Sequence, residues 1–131
     1  MNREKVIIEY ELATRTPSIV WDMISTDGGL QKWLADEVHE SDGMMTFTWG
    51  EAWRQHDIKT AQIVEREKFS HIKLRWDDDD DGACWEMRIE KSEVTGMLHL
   101  VITDYAEPDD TKYLRDLWEG NLMRLHNASG L

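Results

Sequence analysis

The sequence is poor in several things that commonly announce a function. Cys84 is its only cysteine, so no internal disulfide can form and no C-x-x-C pair exists. No apolar run approaches the roughly 20 residues of a membrane span. The N-terminal stretch MNREKVIIEYEL is charged and lacks the apolar region and cleavage site of a secretory leader. Positive charge is scarce: 15 Lys and Arg stand against 27 Asp and Glu, a formal net charge of -12. Nucleic acids and anionic membranes both demand a basic face, and no Lys/Arg cluster provides one. These absences make a cytoplasmic protein the expectation, with no nucleic-acid partner and no membrane span. G-x-S-x-G, H-E-x-x-H and phosphate-loop signatures are missing as well, so no cofactor or catalytic motif is expected.

What is present is a globular composition, 40% hydrophobic and 32% charged over 131 residues. That length suggests one domain, residues 1–131, able to bury one real core. Val6, Ile8, Tyr10 and Leu12 alternate with polar neighbours and predict a strand with one buried face. Thr16-Pro17-Ser18 reads as a helix start, with Thr16 at the N-cap and Pro17 in the first turn. Asp27-Gly28-Gly29 is expected to break that helix, and Leu30, Trp33 and Leu34 mark a second short one. Strands follow: Val38; then, after the turn Ser41-Asp42-Gly43, Met45 to Trp49; a longer one over residues 53–65; Ile72 to Trp76; Trp85 to Ile89; and Leu98 to Ile102. Short connections between them predict an antiparallel meander. Pro108-Asp109-Asp110-Thr111 opens a long terminal helix with an apolar stripe of Leu114, Leu117, Trp118, Leu122 and Leu125. Asn127 to Gly130 ends it. The class is α+β.

The run Asp77 to Asp81, followed by Gly82, resembles the first half of a calcium loop. Such a loop closes with a bidentate Glu at its twelfth position. Counting from Asp77, that position is Arg88, a cation, and both flanks read as strands. The run is therefore the connection of a hairpin, kept in water by its own repulsion, and no metal site is expected there.

The order strand, two short helices, strands, long helix resembles the helix-grip fold of the START-like superfamily. Thr16 to Val38, with Pro17, Trp21, Trp33 and Ala35-Asp36, looks like the opening motif of the branch related to the activator of heat-shock-protein ATPase. Ala61 to Trp76 looks like a strand pair of that branch. The resemblance implies a curved antiparallel sheet wrapped around the C-terminal helix, with a cavity between them.

Seven of the twelve aromatic residues are tryptophan. Parity turns Trp49, Trp76 and Trp85 inward, Trp118 lies on the helix stripe, and Trp33 sits where it would close one end. A lined cavity and a plain aromatic core both fit this pattern. Its candidate lining is Trp33, Phe47, Trp49, Leu74, Trp76 and Trp85 with Met87, Leu100, Leu114, Trp118 and Leu122. Trp53 belongs to the set less clearly. The histidines at 39, 56, 71, 99 and 126 are scattered; His71, His99 and Cys84 fall on outward parity.

Three functions are compatible with these features. The first is a non-enzymatic module holding a small apolar or aromatic ligand between helix and sheet. The second is an acidic interaction domain meeting a basic partner surface, as the chaperone-activator resemblance implies. The third is a cyclase- or hydrolase-like enzyme, for which Asp104 and Tyr105 are the nearest candidate groups. The chain is expected to act as a monomer or a homodimer.

Overall fold

The structure, a computed structural model, describes residues 3–50, 57–78 and 83–131. Alternation builds the sheet. Strands β1 (Glu4–Glu11), β2 (Glu37–Ser41), β3 (Met44–Trp49), β4 (Asp57–Glu67), β5 (His71–Trp76), β6 (Cys84–Lys91) and β7 (Leu98–Ala106) form one seven-stranded sheet. Its order is β1-β7-β6-β5-β4-β3-β2. Every neighbouring pair is antiparallel. The register stacks apolar partners on the inner face: Leu74 opposite Trp85, Ile72 opposite Met87, Met87 opposite Ile102, and Ile102 opposite Ile8. All six are buried. At about 25 cal/mol per Å² of apolar surface removed from water, this face supplies the main drive for folding.

Turn chemistry fixes the strand offsets. Ser41 pairs with Met44 across a two-residue loop in which Asp42 (φ 51°) and Gly43 (φ 77°) are both left-handed. A tight hairpin requires that conformation, and Asp-Gly tolerates it. The sequence expectation for this turn holds. The β5–β6 hairpin is also present, with Arg75 opposite Cys84, although Asp79 to Gly82 at its tip lie outside the described residues, as do Trp53 and His56.

Between β1 and β2 run helices α1 (Pro17–Ser25) and α2 (Asp27–Leu30). Thr16 is the N-cap of α1 and Pro17 opens it, as expected, although the Thr16 side chain makes no capping bond. The second helix departs from expectation. Asp27-Gly28-Gly29 lies inside it, and Trp33 follows in a turn. Thr26 explains the difference: its hydroxyl accepts from the Gly29 amide at 2.9 Å, so one residue ends α1 and caps α2.

A short 3₁₀ turn (Pro108–Asp110) leads into α3 (Thr111–Ser129), which Gly130 terminates at φ 78°. Helix α3 lies across β1 and β7. Trp118, Leu122 and Leu125 are buried beneath it and Leu114 packs partly against the core. Leu117 is a correction: it is 47% exposed, because it falls at the edge of the stripe rather than under it.

His71 is a second correction. It points to the outer face as its parity requires, yet it is only 4% exposed. The β-bulge between Ile63 and Glu65 resets the pairing, so that Glu67 lies opposite His71. The ring then sits between carboxylates, with Nε2 2.5 Å from Glu65 and Nδ1 3.9 Å from Glu67.

Candidate functional site

Where α3 crosses the sheet, the two do not close completely. A groove of about 510 Å³ opens between them, walled by Trp49, Trp76, Trp85, Leu114 and Trp118. Small-molecule sites commonly measure about 300–1,000 Å³ and combine apolar walls with a few polar groups. Ile58, Tyr113 and Leu117 form an exposed apolar part of its mouth. A second lobe of about 400 Å³ adjoins the first and shares Lys59, Trp76, Trp85, Asp104 and Leu114 with it.

The tryptophans are held by one another and by the backbone. Trp76 stacks on Trp85 with centroids 5.2 Å apart, Trp85 meets Trp118 at 5.8 Å, and Trp118 meets Trp33 at 6.4 Å. Phe47 lies behind them, 5.5 Å from Trp76 and 6.0 Å from Trp85. The indole N–H of Trp49 donates to the Leu34 carbonyl at 2.9 Å, and that of Trp33 to the Met23 carbonyl at 2.8 Å. Arg124 donates to the Trp33 carbonyl at 3.1 Å, tying α3 to the turn after α2. The Trp85 indole N–H is the exception: the residue is 2% exposed and this donor has no acceptor among the described residues. A buried donor left unpaired costs about 1–3 kcal/mol.

Asp104 is the polar centre. It pairs with Val6, so it continues the inward face of Leu98, Leu100 and Ile102. Its carboxylate accepts from the Trp118 indole N–H at 2.9 Å and from the Tyr105 amide at 2.8 Å. Burial pushes its pKa above the ordinary carboxylate value, against the two hydrogen bonds and the nearby charges of Lys59 and Arg3, which lower it. No cation lies within ion-pair distance of it among the described residues, which sets it apart from Glu40, bonded to Arg66 at 2.8 Å. Lys59, opposite Phe47 on β4, places its ammonium 4.4 Å over the Trp76 ring and 4.0 Å from Asp78.

The Asp104 environment has a pH consequence. A carboxyl whose folded pKa is raised contributes stability that is fully present below the unfolded pKa and lost as pH rises through the folded one. Asp104→Asn cannot ionise but still offers an oxygen to Trp118. Its melting temperature relative to the parent is expected to rise between pH about 4 and 7 and the difference to close on acidification. Thermal melts across that range check this; a difference that grows toward acid contradicts it.

Of the eleven expected lining residues, the structure brings five to the groove: Trp49, Trp76, Trp85, Leu114 and Trp118. Phe47, Leu74, Met87 and Leu100 are fully buried core behind the wall. Trp33 is buried beside Trp118, and Leu122 faces a shallower groove between α3 and β1. Lys59 and Asp57 were not among the expected residues. The buried Ala61 on the same strand carries the signal, since parity extends from it to Lys59 and Asp57.

Elsewhere, Glu65, Glu67 and His71 bring candidate ligand atoms within 4.8 Å of one another on the outer face. Both ring nitrogens are already engaged, one with Glu65 and one with the Ser70 hydroxyl at 2.8 Å. The hydrogen bond from His71 is the main reason the Glu65 carboxyl sits below its ordinary pKa. His99 is half-buried, 3.1 Å from Glu9. Cys84 is part-buried at the start of β6.

A seven-stranded antiparallel sheet, two short helices after its first strand and a long C-terminal helix laid across it define a helix-grip α+β domain. The chain belongs to the START-like superfamily, whose domain model matches residues 1–131. A protein of Bacteroides fragilis, solved in solution, is 34% identical with a TM-score of 0.66 over 97% of this chain and 91% of its own. The Aha1 dimer of Colwellia psychrerythraea shares the fold at 13% identity and TM-score 0.73, covering 95% of each chain. The protein XoxI of Bacillus cereus does so at 11% and 0.73, over 95% of this chain and 94% of its own. No curated protein matches the chain. No helix among the described residues is long and apolar enough to cross a membrane.

Proposed function

We propose that the protein is a non-enzymatic binding module that takes a small apolar or aromatic ligand into the groove between α3 and the sheet. The observation that carries this reading is the groove wall: half-buried Trp49 and Trp76 border open space beside the part-buried Asp104, with Trp85 and Trp118 packed behind them. The indole area that Trp49 and Trp76 leave uncovered is apolar surface that a ligand would remove from water, which favours its binding. The exposed apolar mouth at Ile58, Tyr113 and Leu117 gives such a ligand a path from solvent.

The enzyme reading has less support. Asp104 reaches the groove, but its two hydrogen bonds go to Trp118 and the Tyr105 amide, and among the described residues no base or nucleophile side chain is hydrogen-bonded to it. The acidic surface keeps a basic protein partner as the second reading, supported by the net charge of -12.

A panel of fatty acids, sterols and flat aromatic compounds, followed by tryptophan fluorescence and melting temperature, tests the binding reading. A ligand that binds only the native state at 100 times its Kd stabilises by about 2.7 kcal/mol. A saturable fluorescence change with a rise in melting temperature is expected for at least one aromatic member. No saturable signal across the panel would leave the interaction reading in its place.

A further inference from the structure

We infer that the groove selects an organic cation: a ligand with an aromatic or apolar body and an amine nitrogen that meets Asp104 between the indoles of Trp76, Trp85 and Trp118. The inference rests on the binding reading above and adds the chemistry of the ligand. A carboxylate withdrawn from water needs a cation or a full set of donors, and Asp104 has two neutral donors and no ion-pair partner among the described residues. Beside it the groove offers the Trp76 ring, a face that accepts an ammonium, and tryptophan's negative quadrupole attracts cations best among aromatic side chains.

The molecule already demonstrates that preference with its own side chain. Lys59 holds its ammonium 4.4 Å over the Trp76 ring, on the wall common to both lobes. It stands in for the alkylammonium head of a ligand. An arriving amine would compete with Lys59 for the indole face, and Asp78, 4.0 Å from the lysine, is placed to keep it on the rim.

Charge around the two lobes points the same way. Asp57, Asp78, Asp104, Glu107 and Asp110 line them, against Arg3 and Lys59. Both cations are engaged, Lys59 with Asp78 and Arg3 with Glu107 at 3.8 Å. An anionic head placed here would face the Asp104 carboxylate in a poorly solvated site, and the overall charge of -12 would repel it on approach. The same field raises the local concentration of cations.

Three probes with one aromatic body separate the possibilities: naphthylmethylamine, naphthylmethanol and naphthylacetate, titrated by calorimetry at neutral pH. The ammonium is expected to bind about 10-fold tighter than the alcohol, and the acetate weakest. Asp104→Asn should reduce the ammonium's advantage over the alcohol to within about 2-fold. Lys59→Gln, which removes the internal competitor, should tighten the ammonium by about 3-fold. Melting curves of both variants establish that they are folded. Alcohol binding with no preference for the ammonium overturns the cation inference and leaves the binding reading standing. Tightest binding by the acetate, lost in Lys59→Gln, also overturns it. Failure of all three probes against the folded parent overturns the cation inference and the aromatic-ligand reading together.

Discussion

Gly29→Ala is expected to destabilise the protein by more than about 3 kcal/mol, the upper range for forcing an extra methyl group into packed structure. A Cβ at this position would stand 1.8 Å from the Asp22 carbonyl oxygen and 2.7 Å from its carbon. Those are backbone atoms of α1, so no rotamer change relieves the overlap; α1 and α2 would have to part. Their contact places Leu30, fully buried, and the turn that carries Trp33. Gly28 is the internal control. Nothing lies within 4 Å of a Cβ there, and the site is helical, so Gly28→Ala is expected to be neutral or to stabilise by about 0.4–1 kcal/mol. Chemical denaturation of the two variants decides the matter. Equal midpoints for both would refute the close approach of the two helices.

Trp118→Ala is the second large effect. The side chain is 4% exposed, packs between Trp33 and Trp85, and gives its indole N–H to Asp104. Truncation is expected to cost roughly 3–5 kcal/mol, the range for a buried aromatic side chain. It also leaves the Asp104 carboxylate with one donor fewer. Trp118→Phe separates the two losses: it keeps most of the ring volume and removes the hydrogen bond, for about 1–3 kcal/mol. Urea unfolding provides both values. If the Phe variant loses as much as the Ala variant, the hydrogen bond to Asp104 outweighs the packing.

Much of this architecture is legible in the sequence because burial on one face imposes a period. Alternation in β1, β3, β5, β6 and β7 identifies the strands, and the same parity turns Trp49, Trp76 and Trp85 inward. Asp-Gly marks the β2–β3 turn because both positions need positive φ. The failures have local causes. A single threonine, Thr26, serves both α1 and α2, and glycines that read as a break fit inside the second helix because its partner approaches too closely for a side chain. A bulge in β4 brings Glu67 opposite His71 and accompanies the burial of an outward residue, which alternation alone cannot express. The polar part of the site was partly legible. Parity from Ile102 reaches Asp104, but no pattern in the sequence announces that the indole N–H of Trp118, fourteen residues on, will meet it.

We propose that the tryptophan-walled space between α3 and the sheet receives a ligand. Indole N–H resonances in a proton–nitrogen correlation spectrum test it most directly, because each tryptophan reports separately. On titration with a flat aromatic ligand, saturable shifts are expected at Trp49, Trp76, Trp85 and Trp118, with a common Kd. Trp21, buried on α1 and outside the groove lining, should stay in place. Indole resonances that remain unmoved across the ligand panel, or shifts that spare these four tryptophans while the α3–β1 surface around Leu122 and Met123 responds, would rule the groove out as the binding site.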